Sequence, residues 1–312
     1  MLTQKRILIT GASGYLGSWL AEYAKRHGAH VRILLRKIEP HLKEWTSKFE
    51  IFLGDITNLQ SLSGLCKGID IVWHAASANE TICNTDFAKA LEINVTGVHN
   101  LMETACLEHV STFVKLSTFH TYGFNGKDPI TEELVPSPNS AYGLTNLMGD
   151  FLALYFYRSK KINVIIPRIS NGYGAPLFKE INRWTLVIND LCRMAFEKRE
   201  IVLKSSGLQQ RDFVSIPDIF LALSILSTKP TKGRIFHVGG SHSQSILDIA
   251  RLVKRVYDKR FDAKINFFAP KEQFQSVPSP VLFDISKLKS LGYQPKNIIE
   301  QEIQKTFSLL EK

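Results

Sequence analysis

The chain has 312 residues, of which 44 % are hydrophobic and 22 % charged, with a formal net charge of +10 at pH 7. That length suits one large domain or a core domain with a smaller companion, and the composition is that of a globular protein. No apolar run approaches the roughly 20 residues that span a bilayer, and the cations (Lys25, Arg26, Arg32, Arg36, Lys37, Lys160, Lys161, Lys198, Arg199) are scattered where a nucleic-acid binder would concentrate them.

Neither a membrane nor nucleic acid is therefore an expected partner. The excess positive charge reads as attraction for anionic small molecules, or simply as a solvated surface. MLTQKRILIT enters a strand-like run almost at once, so no signal peptide is expected. The four cysteines (Cys66, Cys83, Cys106, Cys192) form no CxxC pair. No metal site and no disulfide framework is expected, and a reducing cytoplasm is the expected compartment.

In chain order, strands are predicted at RILIT (6–10), VRILL (31–35), FEIFL (49–53), DIVWHAA (70–76), TFVKLS (112–117) and INVIIPR (162–168). Helical patterns lie between them at 15–27, 86–108 and 142–159. Strands alternating with helices specify βαβ units and a parallel sheet, and near-continuous apolar strands fit burial on both faces. The fold class is α/β: a Rossmann-type doubly wound parallel sheet. Beyond residue 170 Gly and Pro cluster at NGYGAP and the elements shorten. Residues 1–170 are read as the dinucleotide-binding domain and 171–312 as mainly a smaller C-terminal substrate-binding lobe, some of whose segments return to the sheet.

TGASGYLG (10–17) follows the first strand and opens the first helix, with Gly11, Gly14 and Gly17 in GxxGxxG spacing. Glycines there permit a tight turn and bring backbone N–H groups to a pyrophosphate at the helix N-terminus. Three further segments, GDITN (54–58), HAAS (74–77) and NVTGVHNLMETA (94–105), accompany it. Together they resemble the short-chain dehydrogenase/reductase superfamily, in its extended, sugar-nucleotide epimerase/dehydratase branch, over nearly the whole chain.

The resemblance implies a nicotinamide dinucleotide held by Gly11, Ser13, Gly14, Tyr15, Leu16 and Gly17, by Asp55 and Ile56 near the adenine, and by Ala75 and Ala76 at the fourth strand's end. An acidic residue closing the second strand would bind a ribose 2′-OH. The strand instead ends VRILLRK, with Leu35 near that position and Arg36 and Lys37 after it. Two cations and no carboxylate suit a 2′-phosphate, so NADP is expected, with NAD the alternative.

LSTFHTYG (116–123) resembles the family's Ser/Thr segment and places Thr118 at its catalytic hydroxyl. Tyr142, 24 residues later, matches the catalytic Tyr, which exchanges a proton with the sugar oxygen as hydride moves. The family's Lys one turn on lowers the Tyr pKa and holds the nicotinamide ribose; here Asn146 stands in its place. A unit charge about 6 Å away at an effective dielectric near 20 is worth roughly 2–3 kcal/mol, about two pKa units. Asn146 keeps a ribose hydrogen bond but supplies no field. The literal YxxxK at Tyr157 and Lys161 lies 15 residues further along the helix, about 22 Å away, and is rejected. In the family's sugar dehydratases the two positions after the Thr are acidic. They are Phe119 and His120 here, which argues against 4,6-dehydration and makes His120 a candidate acid or base, with a structural histidine as the plainer role.

PRISNGYGAP (167–176) resembles the branch's crossover into the lobe, with Asn171 on the substrate. GLQQRDFVSIPDI (207–219) is similar to the segment whose Arg, here Arg211, clamps a diphosphate through its planar fork. The expected function is an NAD(P)-dependent reductase or epimerase of a nucleotide-linked sugar, working as a homodimer. The alternative is a non-catalytic dinucleotide-binding or assembly protein that has lost the Lys.

Overall fold

A computed structural model describes residues 2–123, 129–160, 162–270 and 280–312. The first half supplies β1 (Arg6–Thr10), β2 (His30–Leu35), β3 (Glu50–Leu53), β4 (Ile71–His74), β5 (Thr112–Lys115), β6 (Ser117–Thr118) and β7 (Asn163–Ile169). The second half adds β8 (Asn171–Tyr173), β9 (Glu200–Val202), β10 (Gln210–Ser215), β11 (Ile235–Val238), β12 (Ser243–Ser245) and β13 (Asn266–Phe268). The helices are α1 (Tyr15–Arg26), α2 (Lys43–Thr46), α3 (Glu80–Thr85), α4 (Phe87–Leu91), α5 (Gly97–Leu107), α6 (Ala141–Lys160), α7 (Val187–Lys198), α8 (Ile216–Thr228), α9 (Ile246–Phe261), α10 (Ser286–Lys289) and α11 (Ile299–Leu310).

The main sheet runs β11-β7-β5-β4-β1-β2-β3, with β6 beside β7, and each of its pairings is parallel. Strand order reverses between β1 and β4, the place where doubly wound sheets open a ligand crevice.

Alternation along the strands builds the two covering layers. Ile7, Ile9, Trp73 and Val114 turn to one face, against Leu20 and Ala24 of α1 and Leu223 and Leu226 of α8. Leu8, Val72, Phe113, Val164 and Ile166 turn to the other, against Leu101 and Met102 of α5 and Ala153 and Phe156 of α6. Each such fully buried side chain contributes roughly 1.5–3 kcal/mol, which is why these strands read as unbroken apolar runs. A third core joins α7, α9 and α11 beside the short strands β8, β10 and β12.

Two elements differ from expectation. The run 112–117 divides at Leu116, whose N–H bonds the His74 carbonyl at 3.1 Å, so that Ser117 and Thr118 pair with Arg168 and Ile169 instead. The helix predicted over 86–108 contains a π turn at Glu92–Thr96 between α4 and α5. Its Asn94 is buried and accepts from the Ala78 N–H (2.8 Å) and the Ser77 hydroxyl (3.0 Å) while donating to Thr145 (2.9 Å). The turn thus ties the loop after β4 to α6, a use typical of π turns near functional sites. Among the described residues no helix is long and apolar enough to cross a membrane.

Candidate active site

A cleft of about 610 Å³ opens past the carboxyl ends of β1, β4 and β6. It brings together Gly11, Gly14, Tyr15, Leu16, Gly17, Ala75, Thr118, His120, Tyr142, Asn146, Asn171 and Arg211 from the residues predicted by sequence. Ser13, Arg36, Lys37, Asp55, Ile56 and Ala76 lie outside its lining. Arg36 is exposed, and Lys37 is paired with Glu39 at 2.8 Å. Asp55 accepts from the Thr57 N–H and hydroxyl, each at 2.9 Å. Ile56 is buried under Gly97.

The glycine loop is built for close approach. Gly11 has φ of +68°, and a Cβ there would stand 2.7 Å from Ala76 N; a Cβ on Gly17 would stand 2.1 Å from the Gly11 carbonyl. Gly14 caps α1 without a side-chain acceptor, so the first-turn N–H groups are left for a ligand. These residues fit the pyrophosphate of a dinucleotide.

Tyr142 stands in the first turn of α6. Burial pushes its phenol up to about 12, with the Glu80 carboxylate adding to the rise; Arg183 and a hydrogen bond with Thr118 pull against it. Nothing here replaces the field of a helix lysine, and at neutral pH the phenol keeps its proton. The His120 ring lies edge-on to Tyr142 with centroids 5.8 Å apart. Burial lowers its pKa, the Glu80 carboxylate opposing and Arg211 assisting, so it is a neutral imidazole near pH 7.

Asn146 is buried and donates from Nδ2 to the Tyr142 carbonyl at 3.0 Å. Behind it lies a residue outside the sequence motifs. The Lys115 ammonium donates to the Asn146 carbonyl (3.0 Å), to Asn146 Oδ1 (3.3 Å) and to Asp150 Oδ1 (2.9 Å). Asp150 Oδ2 accepts from the Ser117 hydroxyl (2.9 Å) and from Arg168 Nε (3.2 Å), and the Arg168 guanidinium lies 4.8 Å from the Tyr122 ring centroid. Alternation explains the aim: Phe113 faces α6, so Lys115, two residues on, does as well. The only trace in the sequence was a cation inside the strand run TFVKLS, whose role the run itself does not reveal. Beside it, Thr10 bonds His74 Nδ1 at 2.7 Å, and burial with the Lys115 charge pushes this histidine down to about 3.

Beyond β7, Arg211 is half-buried and makes a 3.4 Å bond to Asn171 Oδ1; burial lowers its pKa. Its neighbour Asp212 points elsewhere, accepting from Ser170 (2.5 Å) and the Gly240 N–H (2.9 Å). Arg211 and Asp212 thus do not pair with each other, and Arg211 keeps donors for an anion. Arg183 reaches across the cleft mouth to Glu80 at 3.3 Å. Tyr157 takes the structural role expected of it, bonding Arg234 through its hydroxyl at 3.2 Å; Lys161 lies outside the described residues.

The family model "NAD dependent epimerase/dehydratase family" matches residues 7–239. The chain belongs to that family. It is an enzyme of the extended short-chain dehydrogenase/reductase type. A Bacillus subtilis (strain 168) protein described as an uncharacterized UDP-glucose epimerase is 26 % identical over 98 % of both chains. The Mus musculus dTDP-D-glucose 4,6-dehydratase is 25 % identical over 97 % of this chain and 87 % of its own. The UDP-glucuronic acid 4-epimerase of Bacillus cereus, solved with UDP-glucuronic acid and NAD, superposes with a TM-score of 0.80 at 25 % identity, covering 98 % of this chain and 99 % of that one.

Proposed function

We propose that this enzyme is an NAD(P)-dependent epimerase or reductase of a nucleotide-linked sugar, acting by hydride transfer at a sugar carbon. The observation that carries the reading is one cleft that joins an uncapped, glycine-lined helix start, the Thr118–Tyr142 pair, and the half-desolvated Arg211. A cation taken partly out of water without a carboxylate is suited to an anionic ligand, here the diphosphate of a UDP- or dTDP-sugar such as the relatives' names specify. Residues 1–170 hold the dinucleotide in this reading, and the lobe within 171–312 supplies Asn171 and Arg211 to the sugar nucleotide.

The nicotinamide, when bound, supplies and accepts hydride. Tyr142, protonated at neutral pH, delivers its proton to the oxygen of a keto-sugar, and the Thr118 hydroxyl polarises that oxygen. Asn146 bonds the ribose. The reverse transfer, from a sugar hydroxyl, needs a base, and the neutral His120 ring beside Tyr142 is the candidate. Phe119 and His120 provide no carboxylate for water elimination, which favours epimerisation or reduction over dehydration.

For the cofactor, Leu35 ends β2 without a carboxylate and Arg36 follows it, which supports NADP. Lys37 is already engaged by Glu39, and NAD is the alternative, as in the Bacillus cereus relative. Leu144, Met148, Phe151 and Tyr155 form an exposed apolar stripe at helical spacing on α6, and we assign it to a second copy of this chain, giving the homodimer.

The test is turnover of UDP- and dTDP-sugars with NADH, NADPH and their oxidised forms. Tyr142→Phe should lower turnover by roughly 10²–10⁴-fold, the range of a lost acid–base group, and leave dinucleotide binding intact. Unchanged activity in that variant refutes the role. A wild-type chain that binds dinucleotide yet turns over no sugar nucleotide supports the non-catalytic alternative, which Asn146 motivates.

A further inference from the structure

We infer that Lys115 is the positioning residue of this site: it orients the Asn146 amide so that one N–H faces the ribose end of the bound dinucleotide. The inference rests on the reading above, that a dinucleotide occupies the cleft.

Lys115 is not part of the cleft lining. An ammonium has three N–H donors, and those of Lys115 are matched by the Asn146 carbonyl, Asn146 Oδ1 and Asp150 Oδ1. Its effect passes through Asn146. With Oδ1 held by the ammonium, the amide cannot flip, because a flip would set its NH₂ group against a cation. One Nδ2 proton bonds the Tyr142 carbonyl; the other remains for the cleft, which Asn146 lines.

The surroundings show that the lysine is accommodated by more than chance filling. Strand neighbours Phe113 and Val114 are fully buried apolar residues, and an apolar residue at 115 would satisfy the sheet without a desolvation penalty. Gly149 faces the lysine stem from within α6: a Cβ there would lie 3.2 Å from Lys115 Cε and 2.6 Å from the Asn94 carbonyl. A glycine inside a helix is unfavourable relative to alanine; here the Asn94 carbonyl requires it, and the lysine stem lies in the space left beside it. Lys115 and Arg168 against Asp150 leave one net positive charge beneath residue 146. That charge stands on the neighbouring strand and engages Asn146 and Asp150; it is not among the groups that shift the Tyr142 phenol.

The experiment is a double-variant cycle read by NADH and NADPH fluorescence titration on the full chain. Lys115→Met and Asn146→Ala should each weaken binding about tenfold, a hydrogen bond's worth. The double variant should be no more than about twofold weaker than either single one, the mark of residues acting as a unit. Wild-type affinity in Lys115→Met, or losses that multiply in the double variant, overturns the inference. If Lys115→Met does not fold, the exchange Lys115→Met with Asn146→Lys decides. It returns a cation to Asp150 from the next helical turn and should bind the dinucleotide at least as tightly as wild type; failure to bind overturns the inference. Asn146→Lys alone crowds two ammonium groups and should bind more weakly than the exchange. A coupled cycle with no sugar-nucleotide turnover would sink the proposed function and leave this inference standing. A wild-type chain that binds no dinucleotide overturns both.

Discussion

Asp150 lies between two buried cations, accepting from Lys115 on one oxygen and from Arg168 and Ser117 on the other. Removing it leaves both charges desolvated without a counterion. Breaking a buried pair in this way costs about 3–5 kcal/mol, against less than about 1 kcal/mol for an exposed one. Asp150→Ala should therefore lose at least about 3 kcal/mol in urea unfolding, while Asp258→Ala, which removes the half-exposed partner of Lys254, should lose far less. Equal small losses would show that the triad contributes little to the fold. At this scale Tyr142, Thr118, Asn146 and Arg211 were legible from motif context and meet in one cleft. Lys115 and Asp150 were not, because their meaning depends on which strand face meets which turn of α6, and that is settled by packing.

On α6 one helix serves two ends. Gly143, Asn146, Gly149 and Asp150 face the sheet and site, while Leu144 (40 % exposed), Met148 (39 %), Phe151 (57 %) and Tyr155 (58 %) form the opposite stripe. In a two-fold dimer built on that stripe, each residue faces its own copy or a close neighbour. Phe151→Glu would bring like charges together in an apolar contact, so sedimentation should show dimers of the wild type at micromolar concentration and monomers of the variant. A wild type that sediments as a monomer removes the assignment. The six strand runs from RILIT to INVIIPR and the helical stretches 15–27, 86–108 and 142–159 were readable because buried parallel strands are unbroken apolar runs, whereas the short helices α2 and α3 were not. The π turn at Glu92–Thr96 left no comparable trace, since it depends on Asn94 finding Ala78. The lobe strands β8, β9, β12 and β13 have three residues each, too few to show a period.

Across the whole molecule, buried histidines and buried carboxyls respond to acid in opposite senses. His237 bonds Tyr122 through Nε2 at 2.7 Å and the Asp284 carbonyl through Nδ1 at 2.9 Å. Burial, aided by Arg168 and Lys287 and opposed by Asp284, pushes it down to about 4, and His74 is pushed down to about 3. In the unfolded chain both take protons near pH 6.5. Between pH 6.5 and 4 the unfolded state thus binds more protons, and stability falls as pH falls. Asp212 acts in the opposite sense. Burial raises its carboxyl to about 6, so from pH 6 down to about 4 the folded state holds the proton and gains stability. His120, also lowered by burial, adds to the histidine side, while Glu132 and Asp218, raised by burial, add to the carboxyl side; each histidine whose folded pKa is lowered contributes a loss approaching about 1.4 kcal/mol per pH unit. The His237 contribution should therefore lower the melting temperature on acidification from pH 7 to 5. His237→Gln removes that contribution, so relative to wild type the variant's melting temperature should gain as pH falls from 7 to 5, with the remaining groups cancelling in the difference between the two chains. Parallel slopes for the two chains would mean that His237 titrates in the folded protein as it does in the unfolded one.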